Sequence, residues 1–288
     1  MVKKLSSKMK YLLQLGRYNY PTGGFLLMWP CFWGVFYELN YSTEIIKILI
    51  LFFIGSFVMR GAGCCINDLL DKDIDKKVSR TRKRPLVTKK LSDTDVIWFL
   101  IFQLIIGLFV VLNFEEKTII FSFSIIPLIF IYPLFKRFTN FPQLFLGIVF
   151  NWGIIIGFLT QNNSLNLGIF FLYLSGIFFT ICYDTIYAFQ DIKDDKKAGV
   201  KSLAIFLENK PNLIIFMIYL LSFFFFVLSI IYLNQRFWNS LLISTTILIC
   251  YSLQYLAFIK KKSLKTIFDS SNLVGAIIST ILYLQNYL

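Results

Sequence analysis

The sequence predicts an all-α integral membrane protein, a bundle of nine transmembrane helices with a central cavity and two Asp-rich cytoplasmic loops. Hydrophobic residues make up 57% of the 288 residues, aromatic residues make up 18%, and the mean hydropathy is +0.69. Such a chain is too apolar for an ordinary soluble domain. Several apolar runs approach the ~20 residues that a helix needs to cross a bilayer. Since only helices and closed barrels satisfy the backbone in lipid, these runs indicate a helical bundle.

Nine apolar runs follow one another along the chain, and each can span a bilayer once tilt and frayed ends are allowed for. The predicted spans are residues 22–37, 45–65, 96–112, 118–134, 144–159, 167–189, 213–233, 237–259 and 267–287. No soluble domain or low-complexity linker interrupts them, so we expect one domain over residues 1–288. The two longest segments between spans are residues 66–95 and 190–212.

The basic residues lie almost entirely on one side of this predicted bundle. When the N-terminus and every second connecting segment are placed together, that side holds 26 of the 29 Lys and Arg residues. The positive-inside rule makes the basic side cytoplasmic, so the net charge of +13 reflects topology and not nucleic-acid binding. The first 20 residues are basic and polar, and we expect neither a cleavable signal peptide nor an organellar presequence. This predicts a multi-pass protein of the bacterial inner membrane, with its N-terminus and its active site on the cytoplasmic side.

Neither cysteine nor histidine chemistry is indicated by the sequence. The five cysteines lie within apolar runs and show no ligand spacing, which favours packing over a disulfide framework. The chain contains no histidine, so histidine-based acid–base catalysis and histidine-ligated zinc are excluded.

Eight of the 16 acidic residues fall in two short clusters near the ends of the second and sixth predicted spans. Carboxylates are costly near hydrocarbon unless a partner neutralises them, and hard oxygen ligands favour Mg²⁺ or Ca²⁺. Asn67, Asp71 and Asp75 have the spacing i, i+4, i+8, which puts all three on one helix face. Asp191 and Asp195 repeat the spacing 120 residues later, a hint of duplication that would bring both clusters over one cavity. The alternative is an ordinary solvated helix end, but like charges stacked in this way repel without a cation.

Basic residues accompany both acidic clusters. Lys72, Arg80 and Arg84 lie in or after the first cluster, and Lys201 follows the second. Mg²⁺ usually binds through one or two carboxylates together with substrate phosphates, and basic side chains can neutralise the remaining oxyanions. The mixture of charges therefore indicates a metal–diphosphate site, although the positive-inside rule alone accounts for some of these residues.

Both clusters and their flanks resemble the two signatures of the UbiA family of membrane prenyltransferases. The stretch GAGCCINDLLDKDID at residues 61–75, with VSRTRKRP at 78–85, resembles the first signature. The stretch YDTIYAFQDIKDD at residues 183–195, with GVKS at 199–202, resembles the second. Residues 17–30, YPLFKRFT at 132–139, the Pro-Gln pair at 142–143 and NWG at 151–153 resemble the 4-hydroxybenzoate branch of the family. The resemblance runs along the whole chain.

The resemblance implies an activity and a cofactor. The implied reaction transfers a polyprenyl group from polyprenyl diphosphate to the ring of 4-hydroxybenzoate, ortho to the phenol, and releases diphosphate in an early step of ubiquinone biosynthesis. It implies Mg²⁺ as the cofactor and no haem or nucleotide cofactor. The implied metal ligands are Asn67, Asp71, Asp75, Asp191 and Asp195, and the implied diphosphate-binding residues are Lys72, Arg80, Arg84 and Lys201.

Further roles follow from the same resemblance. Asp191 is a candidate for orienting or deprotonating the phenol, and Arg137 is a candidate for holding the substrate carboxylate. Tyr183, Tyr187 and Trp152 are candidates for stabilising an allylic cation by cation–π contact, against a default role in packing.

Two alternatives stay open at this point. Within the family, the acceptor could be a naphthoate, homogentisate or haem. From a different class, a transporter of diphosphate lipids would need the same site without any chemistry. A transporter predicts binding without diphosphate release, whereas the enzyme predicts Mg²⁺-dependent release only when the aromatic acceptor is present.

Overall fold

The computed structural model describes residues 2–40, 44–233 and 237–287, and all regular structure within these ranges is helical. The helices are α1 (Val2–Leu15), α2 (Thr22–Tyr37), α3 (Ile45–Leu70), α4 (Lys72–Asp75), α5 (Asp93–Val111), α6 (Glu116–Ser124), α7 (Ile126–Ile131), α8 (Phe135–Phe138), α9 (Pro142–Leu159), α10 (Leu167–Ala188), α11 (Ile192–Ala198), α12 (Leu203–Phe206), α13 (Pro211–Tyr232), α14 (Phe237–Ile259) and α15 (Leu264–Leu284). Short 3₁₀ turns cover Tyr132–Leu134, Phe189–Asp191 and Gln285–Tyr287. The prediction of an all-α membrane bundle is confirmed.

Eight helical segments in the described ranges are long and apolar enough to cross a bilayer, so the chain is a multi-span membrane protein. They correspond to the second to ninth predicted spans. The first predicted span, α2, has its predicted bounds but only 16 residues, a length of about 24 Å at 1.5 Å per residue. A nine-span count therefore stays a prediction that depends on this short helix.

Helix α2 is held at the centre of the bundle by close backbone contacts. It packs against α3, α9 and α15, and most of its side chains are buried. At Gly34, an added Cβ would lie 2.1 Å from the carbonyl oxygen of Ile154, and at Gly157 it would lie 2.1 Å from that of Cys31. Glycine at these two positions thus lets α2 and α9 approach more closely than larger residues would, as is common between membrane helices.

The fourth predicted span is discontinuous, contrary to the expectation of a single helix. Instead of one helix over 118–134, the chain forms α6, α7, a 3₁₀ turn and α8. Pro127 and Pro133 lie at the starts of the second and third pieces, and neither has an N–H to donate to the preceding turn. The redirected chain ends in α8, which carries Lys136 and Arg137 to the same end of the bundle as both acidic clusters.

The acidic clusters form short helices that follow α3 and α10. The expectation of one uninterrupted helix through Asn67, Asp71 and Asp75 is wrong, because α3 ends at Leu70 and α4 begins at Lys72. The kink at Asp71 is mild: its amide N–H still bonds the Asn67 carbonyl at 2.9 Å, and the amide of Asp75 bonds the Asp71 carbonyl at 2.8 Å. The three side chains therefore keep one common direction. After α10, the second cluster continues through a 3₁₀ turn into α11.

Candidate active site

A cavity of about 230 Å³ lies where the ends of α3 and α10 meet the segment after α4. The polar residues that line it come from both acidic clusters and from the basic segments around them. They are Asn67, Asp71, Asp75, Arg80, Thr81, Arg84, Tyr132, Lys136, Gln143, Asp184, Asp191, Asp195, Lys201 and Ser202. All five residues predicted as metal ligands are in this set, together with three of the four predicted diphosphate-binding residues.

Three of the five carboxylates that line the cavity, Asp71, Asp75 and Asp191, are paired with basic side chains. Arg80 makes a bidentate contact with Asp191, with N–O distances between 2.7 and 3.1 Å. Arg84 bonds Asp75 through Nη1. In each pair the carboxylate is the more buried partner: the side chains of Asp191 and Asp75 are 12% and 7% exposed, against 45% for Arg80 and 16% for Arg84. The basic groups thus supply the charge compensation that partly buried carboxylates need.

Asp71 is the most buried carboxylate of the cavity wall. Its side chain is 1% exposed, and its Oδ2 accepts a hydrogen bond from Lys136 Nζ. Its Oδ1 is buried with no hydrogen-bond partner in the described ranges, and Arg137 Nη2 lies 3.9 Å away. Burial raises the pKa of Asp71 above its ordinary value, although the Lys136 ammonium opposes the shift. An orphaned, desolvated carboxylate oxygen of this kind is suited to a hard cation, and the donor set fits Mg²⁺.

No group of three Asp, Glu, Cys or His side chains in the described ranges is already arranged around one metal position. Asp71, Asp75 and Asp191 instead contact basic partners. This arrangement suits a site in which each carboxylate contributes one ligand and substrate oxygens supply others, as is usual for Mg²⁺.

Several predicted site residues lie outside the cavity lining. Lys72 pairs with Asp93 at 2.6 Å on the exposed surface. Arg137 lies at the rim, where its Nη2 donates to the Leu70 carbonyl at 2.7 Å and so caps the end of α3. Trp152 is remote, because its Nε1 donates to the Phe121 carbonyl at 2.8 Å within the bundle.

The two predicted tyrosines differ in their relation to the cavity. Tyr187 does not line the cavity, but the centre of its ring lies 5.7 Å from the guanidinium of Arg80, which does, in a cation–π contact. Tyr183 is buried inside the bundle, where its ring packs edge-on against Phe179 and Phe268. It lines a small second cavity whose other residues are mostly apolar or aromatic, including Trp29 of α2.

The structure also brings forward residues to which the sequence motifs assign no role. Lys136 lines the cavity beside Asp71, and Asp184 lines it one helical turn or more deeper than Asp191. Arg60 lies close to Asp184 and Tyr132, its guanidinium is 5.7 Å from the Phe150 ring, and its buried Nε has no hydrogen-bond partner among the described residues. An arginine and an aspartate inside predicted spans are themselves a functional signal, which the sequence alone could have provided.

Comparisons with known proteins place this fold and cavity in context. The model of the UbiA prenyltransferase family matches residues 27–275. A 4-hydroxybenzoate octaprenyltransferase of Pasteurella multocida is 35% identical over 276 residues, 94% of each chain. A mitochondrial 4-hydroxybenzoate polyprenyltransferase of Drosophila melanogaster is 46% identical over 211 residues, 72% of this chain and 54% of the relative, so the chain spans about half the length of that relative.

Solved structures share the fold. A UbiA homolog from Aeropyrum pernix superimposes with a TM-score of 0.73 at 21% identity, covering 92% of this chain and 98% of that one. A UbiA homolog from Archaeoglobus fulgidus bound to DMAPP and Mg²⁺ gives a TM-score of 0.72 at 16% identity, covering 96% and 99%. From the family model and the bacterial relative matched over 94% of each chain, the chain belongs to the UbiA prenyltransferase family.

Proposed function

We propose that the protein transfers a polyprenyl group from polyprenyl diphosphate to the ring of 4-hydroxybenzoate, ortho to the phenol, with release of diphosphate. One observation carries the proposal: acidic residues from two distant spans and a set of Arg and Lys residues line a single cavity at one end of the bundle. Family membership supports the prenyl transfer, and the names of the bacterial and insect relatives support 4-hydroxybenzoate as the acceptor.

The metal in this proposal is Mg²⁺, held by Asn67, Asp71, Asp75, Asp191 and Asp195. Bound Mg²⁺ supplies a Lewis acid that neutralises the diphosphate while the allylic C–O bond breaks. The orphaned Oδ1 of Asp71 and the purely oxygen donor set support this assignment. The Archaeoglobus homolog, solved with DMAPP and Mg²⁺, supports a divalent metal in this fold.

The basic side chains of the cavity bind the diphosphate oxygens in this proposal. Arg80, Arg84 and Lys201 line the cavity as the sequence led us to expect, and Lys136 joins them in place of Lys72. Preorganised cations aimed at developing negative charge lower the barrier more than the same cations would in water. They act when the electron pair of the broken C–O bond passes to the diphosphate leaving group.

The allylic carbon then needs shielding from water and an aromatic neighbour. Tyr187 is the best placed of the three predicted aromatics, since its ring contacts Arg80, which lines the cavity. The hydrogen bond of Trp152 to the Phe121 carbonyl indicates a packing role. The ring carbon ortho to the phenol attacks the allylic carbon, a C–C bond forms, and the ring proton passes to a base in the cavity, for which the Asp191 carboxylate that orients the phenol is the candidate.

The acceptor carboxylate has two candidate arginine partners. Arg137 at the rim is the partner that the family resemblance implies, but it already bonds a backbone carbonyl. Arg60 has a buried Nε without a partner among the described residues, and it lies beside Asp184 and Tyr132, which line the cavity. Loss of the correct arginine should cost about 1.5–3 kcal/mol in acceptor binding, the scale of a hydrogen bond to a charged group.

The proposed site faces the cytoplasm of a bacterial inner membrane. The 26-to-3 distribution of basic residues supports this orientation, and the Pasteurella relative, matched over 94% of each chain, supports a bacterial setting. The isoprenoid substrate would reach the cavity from the surrounding bilayer.

The test is a reconstitution of the purified protein in lipid nanodiscs with one polyprenyl diphosphate and a panel of aromatic acceptors. We expect diphosphate release and a prenylated product with 4-hydroxybenzoate, loss of both with excess EDTA, and recovery with Mg²⁺. Diphosphate release with a naphthoate or homogentisate, and not with 4-hydroxybenzoate, would identify that compound as the acceptor. Binding of the polyprenyl diphosphate without release under every condition would support the transporter and overturn the enzyme. The arginine that binds the acceptor carboxylate is identified by comparing Arg60→Gln with Arg137→Gln. Only replacement of the true partner should weaken binding of the aromatic acid without weakening binding of the polyprenyl diphosphate.

A further inference from the structure

Asp68 is a buried carboxylate that the proposed reaction leaves without a role. It lies on α3 beside the predicted ligand Asn67, its side chain is 2% exposed, and it does not line the cavity. Both of its oxygens are engaged by arginines. Arg17 Nη2 contacts Oδ1 at 3.0 Å and Oδ2 at 3.2 Å, and Arg84 Nη1 contacts Oδ1 at 2.8 Å. Asp68 is therefore held by two arginines, of which Arg84 lines the cavity.

Arg84 is shared between this carboxylate and the cavity. Its Nη1 also bonds Asp75, one of the five predicted metal ligands, and its side chain is only 16% exposed. The same guanidinium lines the cavity wall. If Asp75 turns to a metal ion, Asp68 still holds Arg84 in place. A fixed arginine presents its donors to a phosphate without first losing side-chain freedom.

Arg17 bonds Asp68 and the last backbone carbonyls of α1. It follows the end of α1 in a left-handed backbone conformation with φ of +60°, which a residue with a side chain adopts at a cost. Its Nη1 donates to the carbonyls of Gln14 and Leu15 at 3.0 and 3.1 Å, while Nη2 takes the carboxylate of Asp68. The guanidinium thus ties the last turn of α1 to α3 through hydrogen bonds that offset the backbone strain.

Helix α1 also packs against the segment that carries Arg84. Leu15 is fully buried in a small apolar cluster with Leu86 and Leu91 from that segment. Nearby, the ammonium of Lys90 lies 5.0 Å from the centre of the Tyr11 ring. The apolar contacts and the Arg17–Asp68–Arg84 chain act on the same segment, so its position depends on α1.

We propose that Asp68 and Arg17 are positioning residues for Arg84, which they hold at the cavity wall in the geometry that binds the diphosphate of the prenyl donor. The inference rests on the proposed function for the identity of the ligand. Neither residue contacts the substrate, so each acts through Arg84. The amino-terminal helix α1 thereby helps to position the diphosphate site without contacting the diphosphate.

The test measures diphosphate binding directly, so that it does not depend on turnover. Inorganic pyrophosphate with Mg²⁺ is titrated into the purified protein by calorimetry, and the KM values of both substrates are measured in parallel. Arg17→Gln should weaken pyrophosphate binding and raise the KM of the prenyl diphosphate about tenfold, the scale of one lost hydrogen bond to a charged group. The KM of the aromatic acid should change less than about twofold, as expected for an effect confined to Arg84. Arg82→Gln, an exposed arginine on the same segment, is the matched control and should leave all three values unchanged.

Two further variants separate positioning from a merely structural role. Arg17→Lys keeps the charge but cannot make the paired hydrogen bonds, so it should fall between the wild type and Arg17→Gln and provides a second measurement if the latter does not fold. In an Arg84→Gln background, Arg17→Gln should cause no additional loss of pyrophosphate affinity. Additive losses in the double variant, an equal rise in both KM values, or an equal effect of Arg82→Gln would overturn the proposal. If pyrophosphate binding follows these expectations but no acceptor is prenylated, the positioning role stands and the proposed reaction fails.

Discussion

Replacing Lys136 with methionine should destabilise the protein in a way that a divalent cation can reverse. Lys136 is the hydrogen-bonding cation of Asp71, whose side chain is 1% exposed and whose Oδ1 already has no hydrogen-bond partner among the described residues. Methionine keeps most of the volume of the lysine stem but removes the ammonium. The variant therefore leaves a buried carboxylate without its hydrogen-bonding cation, while the guanidinium of Arg137 stays 3.9 Å from Oδ1.

The size of the effect follows from the burial of the two partners. Removing one member of a fully buried ion pair costs about 3–5 kcal/mol, because the remaining charge is uncompensated. Lys136 is 23% exposed and the cavity admits water, so we expect a smaller loss, about 2–3 kcal/mol. A cation that binds only the folded state at 100 times its Kd would restore about 2.7 kcal/mol. Excess Mg²⁺ should therefore recover most of the loss.

The assay is thermal unfolding in detergent, with and without Mg²⁺, on the wild type, Lys136→Met and the double variant Lys136→Met with Asp71→Asn. We expect Lys136→Met to lower Tm by several degrees without Mg²⁺, and the double variant to regain stability because no buried charge remains. Since burial raises the folded-state pKa of Asp71, the loss should be absent below the ordinary aspartate pKa and should grow as pH rises through the raised value. Lys77→Met, an exposed lysine on the same side, is the control.

Three outcomes would refute the reasoning. Equal Tm losses with and without Mg²⁺ would mean that the cation does not reach Asp71. An unstable double variant would mean that Lys136 stabilises the fold by packing and not by charge. A loss that is as large in acid as at neutral pH would mean that the ionisation of Asp71 is not involved.

Three other expectations concern the metal site, the helix packing and the topology. Asp191→Ala should abolish turnover while leaving membrane insertion and the elution profile of the purified protein unchanged, since the apolar spans and not this carboxylate drive folding. Gly34→Ala should lower stability by about 1–3 kcal/mol, because its Cβ would meet the Ile154 carbonyl, whereas Gly63→Ala has open space and should be neutral; thermal unfolding of both variants checks this. Single cysteines at residues 79 and 286 should react with a membrane-impermeant reagent from opposite sides of the membrane, and labelling of both from one side would contradict the topology.

The spans were predictable from the sequence because the bilayer imposes one requirement, apolar length, that every span must meet. Apolar length alone, however, gives no sign of where a helix is interrupted within a span. Pro127 and Pro133 break the fourth span into pieces, yet both lie inside a run whose hydropathy shows nothing unusual. Attention to the missing N–H groups would have predicted these breaks. The kink at Asp71 has no comparable signal, since no proline or glycine stands there.

The membership of the cavity was largely predictable, but the pairing inside it was not. Charged residues at the ends of apolar spans must gather where water remains, so Asp71 and Asp191 were expected near Arg80 and Arg84. Which cation meets Asp71 depends on how α8 is rotated after Pro133. That rotation turns Lys136 into the cavity and leaves its neighbour Arg137 at the rim, a difference of one residue that spacing cannot resolve. One partner of Asp68, Arg17, lies 51 residues away, just after the end of α1, so only packing reveals this contact.

The internal pairing has a consequence for how the ligands bind. Asp71, Asp75 and Asp191 each hold a basic group that the proposed reaction assigns to the diphosphate. A metal that took these carboxylates alone would leave the basic groups without counter-charges, and a diphosphate that took the basic groups alone would leave three bare carboxylates. Both costs vanish when the two ligands arrive together, because carboxylates and cations then exchange one set of partners for another. We therefore expect positive coupling: by calorimetry, Mg²⁺ should tighten pyrophosphate binding at least about tenfold, which lies within the range of about 5- to 150-fold for coupled sites. Pyrophosphate should tighten Mg²⁺ binding by the same factor, and independent binding of the two would mean that the ion pairs persist in the loaded site.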